Sequence, residues 1–162
     1  MDFLNYNIKI ISFSEILVPW SQNLWPNRQS PIEPVSAIDL SGGYNLDLMA
    51  AKPVFWGAFT EDQSEVIGVV SGFKTSTTYF RSRGIWVSPH HRRRGVGAQL
   101  IKAVEAQAQE ESCPYIWSMP RQISWPFYKM TGFEIINSVD KFEFGPHYIA
   151  VKELKKTPLQ KE

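Results

Sequence analysis

The run from Tyr79 to Glu111, YFRSRGIWVSPHHRRRGVGAQLIKAVEAQAQEE, constrains the fold more than any other part of the chain. Its first residues, YFRSRGIWV up to Val87, read as a strand. Pro89 and a basic turn follow, then Gly95-Val96-Gly97. From there Val96, Leu100, Ile101, Val104 and Ala108 recur at helical spacing, so an amphipathic helix runs from Val96 to about Glu111. A strand that passes through a short turn into such a helix points to an α/β (α+β) fold, in which helices lie on a sheet.

The rest of the chain supplies the sheet. Asn7–Phe13 (NIKIISF) alternates and is β-branched, which predicts a first strand. Ser14 with Glu15 opens a helix that Pro19 disturbs. Pro19, Pro26, Pro31 and Pro34 then predict a long loop with short helical pieces, and Ser36–Leu48 predicts a weak helix broken at Gly42-Gly43. Val54–Thr60 and Glu65–Lys74, joined through Glu61-Asp62-Gln63, read as an antiparallel hairpin. Cys113-Pro114 closes the long helix, and Tyr115–Met119 is a short strand of the buried kind. Trp125–Met130 is a short helix that tolerates Pro126 in its first turn and stops at Thr131-Gly132. Phe133–Asn137 and Phe142–Leu154 are two more strands. With no repeat and no second domain, residues 1–154 read as one domain and 155–162 as a disordered tail.

Composition narrows the function. The 162 residues are 43% hydrophobic and carry a net charge of +1, which argues against a dedicated nucleic-acid binder. The arginines of the basic turn are therefore a local cluster, suited to a small anionic ligand. The single cysteine, Cys113, closes no intramolecular disulfide, and no Cys/His pattern has metal spacing, so no metal is expected and a reducing cytoplasmic setting is. The N-terminus reads as no signal peptide, and no apolar run approaches the roughly 18 residues of a membrane span.

The turn has its own chemistry. The first N–H groups of a helix lack intrahelical partners and together carry about half a positive charge. Glycines at 95 and 97 remove side chains that would hold an anion off, so Arg92–Ala98 reads as a backbone cradle for phosphate or pyrophosphate, with Arg92, Arg93 and Arg94 adding charge. A P-loop would continue Gly-Lys-Ser/Thr, and here Ala98-Gln99 follows. A dinucleotide fingerprint would need a third glycine where Leu100 stands.

Arg92-x-x-Gly95-x-Gly97 between a strand and an amphipathic helix resembles the pyrophosphate-binding signature of the GNAT superfamily of acyl-CoA-dependent N-acetyltransferases. Phe127-Tyr128-Lys129-Met130-Thr131-Gly132-Phe133 is similar to that family's FY-x-x-x-GF segment, at the right distance. The resemblance spans roughly Ile8 to Leu154. It implies a mixed, mostly antiparallel sheet of about six to seven strands, flanked by helices and splayed at strands 4 and 5.

It also implies acetyl-CoA as the acyl donor. The cradle Arg92, Arg93, Arg94, Gly95, Val96, Gly97 and Ala98 would hold its diphosphate, and the backbone of Ile85, Trp86 and Val87 would lie along its pantetheine arm. Tyr128 would be the general acid. The acceptor is a primary amine of a small molecule or protein, attacked directly in a ternary complex. A non-catalytic acyl-CoA sensor of the same fold is the alternative. Trp25 and Arg28 lie where acceptor specificity is set in this family. Partners expected are the amine acceptor, with neither nucleic acid nor membrane, and a homodimer stays open.

Two positions depart from the family pattern. Arg121 stands where many members have an asparagine, and Arg81-Ser82-Arg83 stands on the strand that often carries a catalytic carboxylate. Glu33, Asp39, His90, His91, Glu143 and His147 are candidate bases, none of them singled out. Gly84 is either a bulge or a point of close approach.

Overall fold

Near-continuous apolar runs in Val54–Phe59 (β2) and Val66–Lys74 (β3), buried on both faces, and Tyr79–Val87 (β4) build three antiparallel neighbours at the centre of one sheet. In the computed structural model, which describes residues 6–139 and 146–155, four more strands complete it. They are β1 (Asn7–Ile11), β5 (Tyr115–Ser118), β6 (Glu134–Val139) and β7 (His147–Glu153), in the order β1-β2-β3-β4-β5-β7-β6. Every pairing is antiparallel except β4 with β5. The sheet is thus the mixed, mostly antiparallel one that the resemblance implies.

Strand alternation sends neighbouring side chains to opposite faces. One face receives the long helix α2 (Val96–Glu110), whose Val96, Leu100, Ile101 and Val104 pack with Val70, Phe80 and Ile116 in the main core. The short helix α3 (Trp125–Met130) adds Tyr128 to that core. The other face receives α1 (Phe13–Pro19), where Ile16 and Trp20 are buried against Phe55 and Val69.

Several boundaries differ from the sequence reading. The first strand ends at Ile11 because Ser12 is a helix cap: its Oγ accepts from the Glu15 N–H at 3.1 Å, and the Glu15 carboxylate accepts from the Ser12 N–H at 3.0 Å. Pro19 does not stop the helix. The chain widens into a π-helical turn over Trp20–Leu24, closed by the Trp25 N–H donating to the Trp20 carbonyl at 2.9 Å. No helix forms over residues 36–45. Asp39 instead ties a turn by accepting from the Ser41 and Gly43 N–H groups, Ile38 bridges Tyr44, and a 3-10 turn follows at Leu46–Ala50. In the hairpin turn, Asp62 accepts from Thr60 and Ser64, which holds its carboxyl down at about 2. β7 begins at His147, and the expected strand residues 142–145 lie outside the described residues, as do residues 156–162 of the expected tail.

Gly84 is both a bulge and a close approach. The register runs Val69↔Trp86 and then Ser71↔Arg83, so Gly84 and Ile85 together oppose Val70. Gly84 has φ +72°, and a Cβ there would stand 2.5 Å from the Trp20 indole, whose Nε1 donates to the Gly84 carbonyl at 2.7 Å. Gly84→Ala combines a left-handed side chain with a collision. It is expected to cost on the order of 3 kcal/mol and to lower Tm by roughly 10 °C in calorimetry.

Candidate active site

β4 and β5 pair only from Tyr79↔Tyr115 to Arg81↔Trp117. Beyond that β4 continues to Val87 with no strand on its β5 side, while β5 stops at Ser118. A cavity of about 690 Å³ opens at the parting, lined by Ser82–Ile85, Ser118–Arg121, Tyr128, His147 and the segment from Leu24 to Met49.

Ser118 bridges the gap. Its Oγ donates to the Ser82 carbonyl at 2.9 Å and lies 3.0 Å from the Tyr128 hydroxyl. A serine has one proton to give, and Ser82 takes it, so Tyr128 is the donor in the second bond. Burial raises the Tyr128 pKa above the ordinary value of 10, against the opposing pull of Ser118 and Arg81. The phenol therefore keeps its proton at neutral pH. α3 holds it in place, with Phe127 and Phe133 edge-on to its ring at 5.3 and 5.0 Å.

Arg81 and Arg83 alternate along β4 and so share the face away from α2. The Arg81 guanidinium sits between its two cross-strand neighbours, 6.0 Å from the Phe73 ring and 4.9 Å from the Trp117 ring. Arg81 is 6% exposed, and its Nε and Nη1 are buried without a hydrogen-bond partner among the described residues. Burial pulls its pKa down to about 10, which leaves it cationic at neutral pH. Arg83 lies 5.0 Å from the Trp20 ring and 5.1 Å from the Trp25 ring, and donates to the Glu33 carbonyl at 2.8 Å. Its pKa is pulled well down by burial, then by Arg81 and Arg28, with Glu33 opposing. Arg121 donates to the Leu24 carbonyl at 3.0 Å. Its side chain thus reaches the segment that follows α1.

Trp25 and Arg28 both line the cavity, Arg28 stacked 5.5 Å from the Trp25 ring and held by Ser30. Of the candidate bases, Glu33 and His147 line the cavity, Asp39 is spent on its turn, His91 meets the Tyr6 hydroxyl at 3.1 Å beside the basic turn, His90 is exposed there, and Glu143 lies outside the described residues. Cys113 is buried, and burial raises its pKa, so the thiol is inert. Residue by residue, the sequence reading did not assign roles to Arg81, Arg83 and Ser118. The signal for the arginines was present in Arg-x-Arg on a strand with two buried faces.

The basic turn lies at the far end of β4. Pro89–His91 form one 3-10 turn, Arg92 donates through Nε to the Val87 carbonyl at 2.9 Å, and Arg93 adopts φ +62°. Arg93 and Arg94 are exposed. Gly95 caps α2 at φ +82°, with no side-chain cap, and no heavy atom lies within 4 Å of where its Cβ would stand. The space beside Gly95, at the start of α2, is therefore open. Gly97 differs: a Cβ there would lie 2.7 Å from the Phe127 ring, so this glycine lets α3 close on α2.

Two expected outcomes follow from the buried charges. His147 is held down to about 4, first by desolvation and then by Arg121 and Arg81. Its unfolded pKa is near 6.5, so the unfolded chain takes up this proton first as pH falls. This contribution to stability is complete above pH 6.5 and is lost between there and about 4. NMR titration should give a His147 midpoint near 4, and His147→Gln should show a smaller fall in Tm between pH 7 and pH 5 than the parent. Arg81→Met replaces an unpaired buried charge by an apolar side chain of similar length, and calorimetry should find the ligand-free variant unchanged or more stable by about 1–3 kcal/mol.

The acetyltransferase (GNAT) family model matches residues 14–133. No curated protein matches the chain. Among solved structures, an aminoglycoside 6′-N-acetyltransferase complexed with coenzyme A superposes with TM-score 0.67 at 14% identity, covering 94% of this chain and 99% of that one. The PaiA N-acetyltransferase of Thermoplasma acidophilum, in complex with coenzyme A, gives 0.65 at 14%, covering 93% and 100%. A GNAT family acetyltransferase from Elizabethkingia anophelis with acetyl-CoA bound gives 0.59 at 16%, covering 93% and 99%. The match to the family model covers both the Arg92–Gly97 turn and the Tyr128 helix, and with the parted β4 and β5 it identifies the chain as a member of the GNAT acetyltransferase family.

Proposed function

We propose that the protein transfers an acetyl group from acetyl-CoA to a primary amine by direct attack in a ternary complex. The observation that carries this reading is the gap between β4 and β5. It connects the Tyr128 hydroxyl on the α2 side with the cavity on the α1 side, so two substrates can approach from opposite faces and meet.

The residues of the turn fit the cofactor. The uncapped N-terminus of α2, the open space at Gly95 and the arginines at 92–94 would hold a diphosphate. Of the strand residues expected along the pantetheine arm, Ile85, Trp86 and Val87 lie on the part of β4 that has lost β5. When bound, acetyl-CoA supplies the activated acetyl group. Tyr128 keeps a proton at its hydroxyl, because a buried phenol is a weaker acid than a thiol, and would be the group that protonates the thiol end. Trp25 and Arg28 would contact the acceptor at the mouth.

The amine must arrive neutral. For a lysine-like amine this costs about 4–5 kcal/mol at pH 7. No carboxylate stands on β4 to take the proton, but cationic side chains lower the cost of losing it to water by repelling an ammonium. One guanidinium about 6 Å away contributes about 3 kcal/mol at an effective dielectric near 20. Arg81 and Arg83 are such groups, and neutral His147 can accept a hydrogen bond from the acceptor.

Acetyl-CoA is expected to raise Tm saturably, and no shift at millimolar concentration contradicts the reading. With an identified acceptor, Tyr128→Phe should lower kcat by about 10²–10⁴-fold at neutral pH. Thiol release separates this enzyme from a sensor that only binds acyl-CoA.

A further inference from the structure

We infer that the acceptor is a small molecule in which the amine is accompanied by an oxyanion, a carboxylate or a phosphate, and that Arg81 and Arg83 bind this group on the face of the sheet away from α2. The inference rests on the reading above that the cavity is the acceptor side of an acetyltransferase.

Four arguments converge. Among the described residues, the cavity lining presents Arg28, Arg81, Arg83 and Arg121 against one carboxylate, Glu33. A cationic acceptor would enter against that field, whereas an anionic one enters with it. Second, Arg81 is buried at 6% exposure with Nε and Nη1 unpartnered, and an uncompensated buried charge is costly unless a ligand completes it.

Third, the arginines differ in their ties. Arg83 donates to Glu33 and Arg121 to Leu24, backbone bonds that tie the loop over the cavity, but Arg81 Nε and Nη1 have no partner among the described residues. Its fork remains for a planar or tetrahedral oxyanion, the geometry that guanidinium recognises. Aromatic rings at 4.9 and 6.0 Å fix that fork without using its N–H groups. Fourth, depth sets size. Arg81 is buried at the parting of two strands, within a cavity of about 690 Å³, which suits the end of a small molecule better than a folded surface.

The test has a binding arm and a turnover arm. In the first, protein saturated with coenzyme A, which fills the turn at Gly95, is titrated with inorganic phosphate and separately with acetate at constant ionic strength in chloride. At least one anion is expected to raise Tm saturably beyond the chloride control, and Arg81→Met should weaken its apparent affinity at least about tenfold. Arg83→Met serves as the second variant should Arg81→Met fail to fold. No shift beyond chloride, or an equal shift in the variant, overturns the inference.

In the second arm, thiol release at saturating acetyl-CoA is compared within matched pairs: phosphoethanolamine with ethanolamine, and amino carboxylates with their carboxamides. The anionic member of one pair should be favoured at least about tenfold in kcat/KM, and which pair responds assigns phosphate or carboxylate. Arg81→Met should lose that preference mainly through KM, with partial rescue by Arg81→Lys. Preference for the uncharged partners overturns the inference and leaves acetyl transfer intact. Failure of coenzyme A itself to shift Tm overturns the acetyltransferase reading instead, and the anion arm then runs on ligand-free protein.

Discussion

Two parallel strands that share three residues and then part are the constraint on which the rest of this molecule depends. A sheet that opens in its middle loses ladder hydrogen bonds and exposes backbone to the interior, and such groups need partners. Here they are found locally. The Ser118 hydroxyl takes the Ser82 carbonyl, the Trp20 indole takes the Gly84 carbonyl, and Arg92 takes the Val87 carbonyl. The bulge at Gly84 bends β4 at the same place. Side chains from β5, the π-helical turn and the basic turn thus prop the gap open from three sides.

The open gap gives the two faces different jobs. On the α2 side, the core and the uncapped helix N-terminus surround a buried phenol. On the α1 side, arginines set among tryptophans make a cationic cavity. Stability alone would favour methionine or leucine at position 81, since a buried cation without a partner opposes folding. Retaining arginine there is a cost that binding can offset, the usual relation between active-site charge and stability.

Much of this was legible in the sequence because it is written in local chemistry. The strand, basic turn and amphipathic helix of residues 79–111 carry their own periodicity, and the hairpin of β2 and β3 shows as two apolar runs about a polar turn. The Tyr128 helix carries both a proline start and a glycine stop. What failed to show depends on contacts between distant residues. Pro19 reads as a disturbance of the helix, but the π-helical turn that follows, with Trp20 bonded to Gly84, 64 positions away, is not written there. Gly97 reads as a clearing for an anion, yet its missing Cβ also admits Phe127. Arg81 and Arg83 read as the absence of a carboxylate, and only the packing of Arg81 between Phe73 and Trp117, and of Arg83 against Trp20 and Trp25, makes them a buried feature. Ser118 is an unremarked residue at a strand end until Tyr128 is folded over it.

The most direct test of this account is a crystal structure of the protein with coenzyme A bound. It predicts the diphosphate on the N–H groups that follow Gly95, and the thiol end in the gap between Ile85 and Tyr128. Coenzyme A bound anywhere else, or a gap that stays filled by protein side chains with the cofactor present, would contradict it.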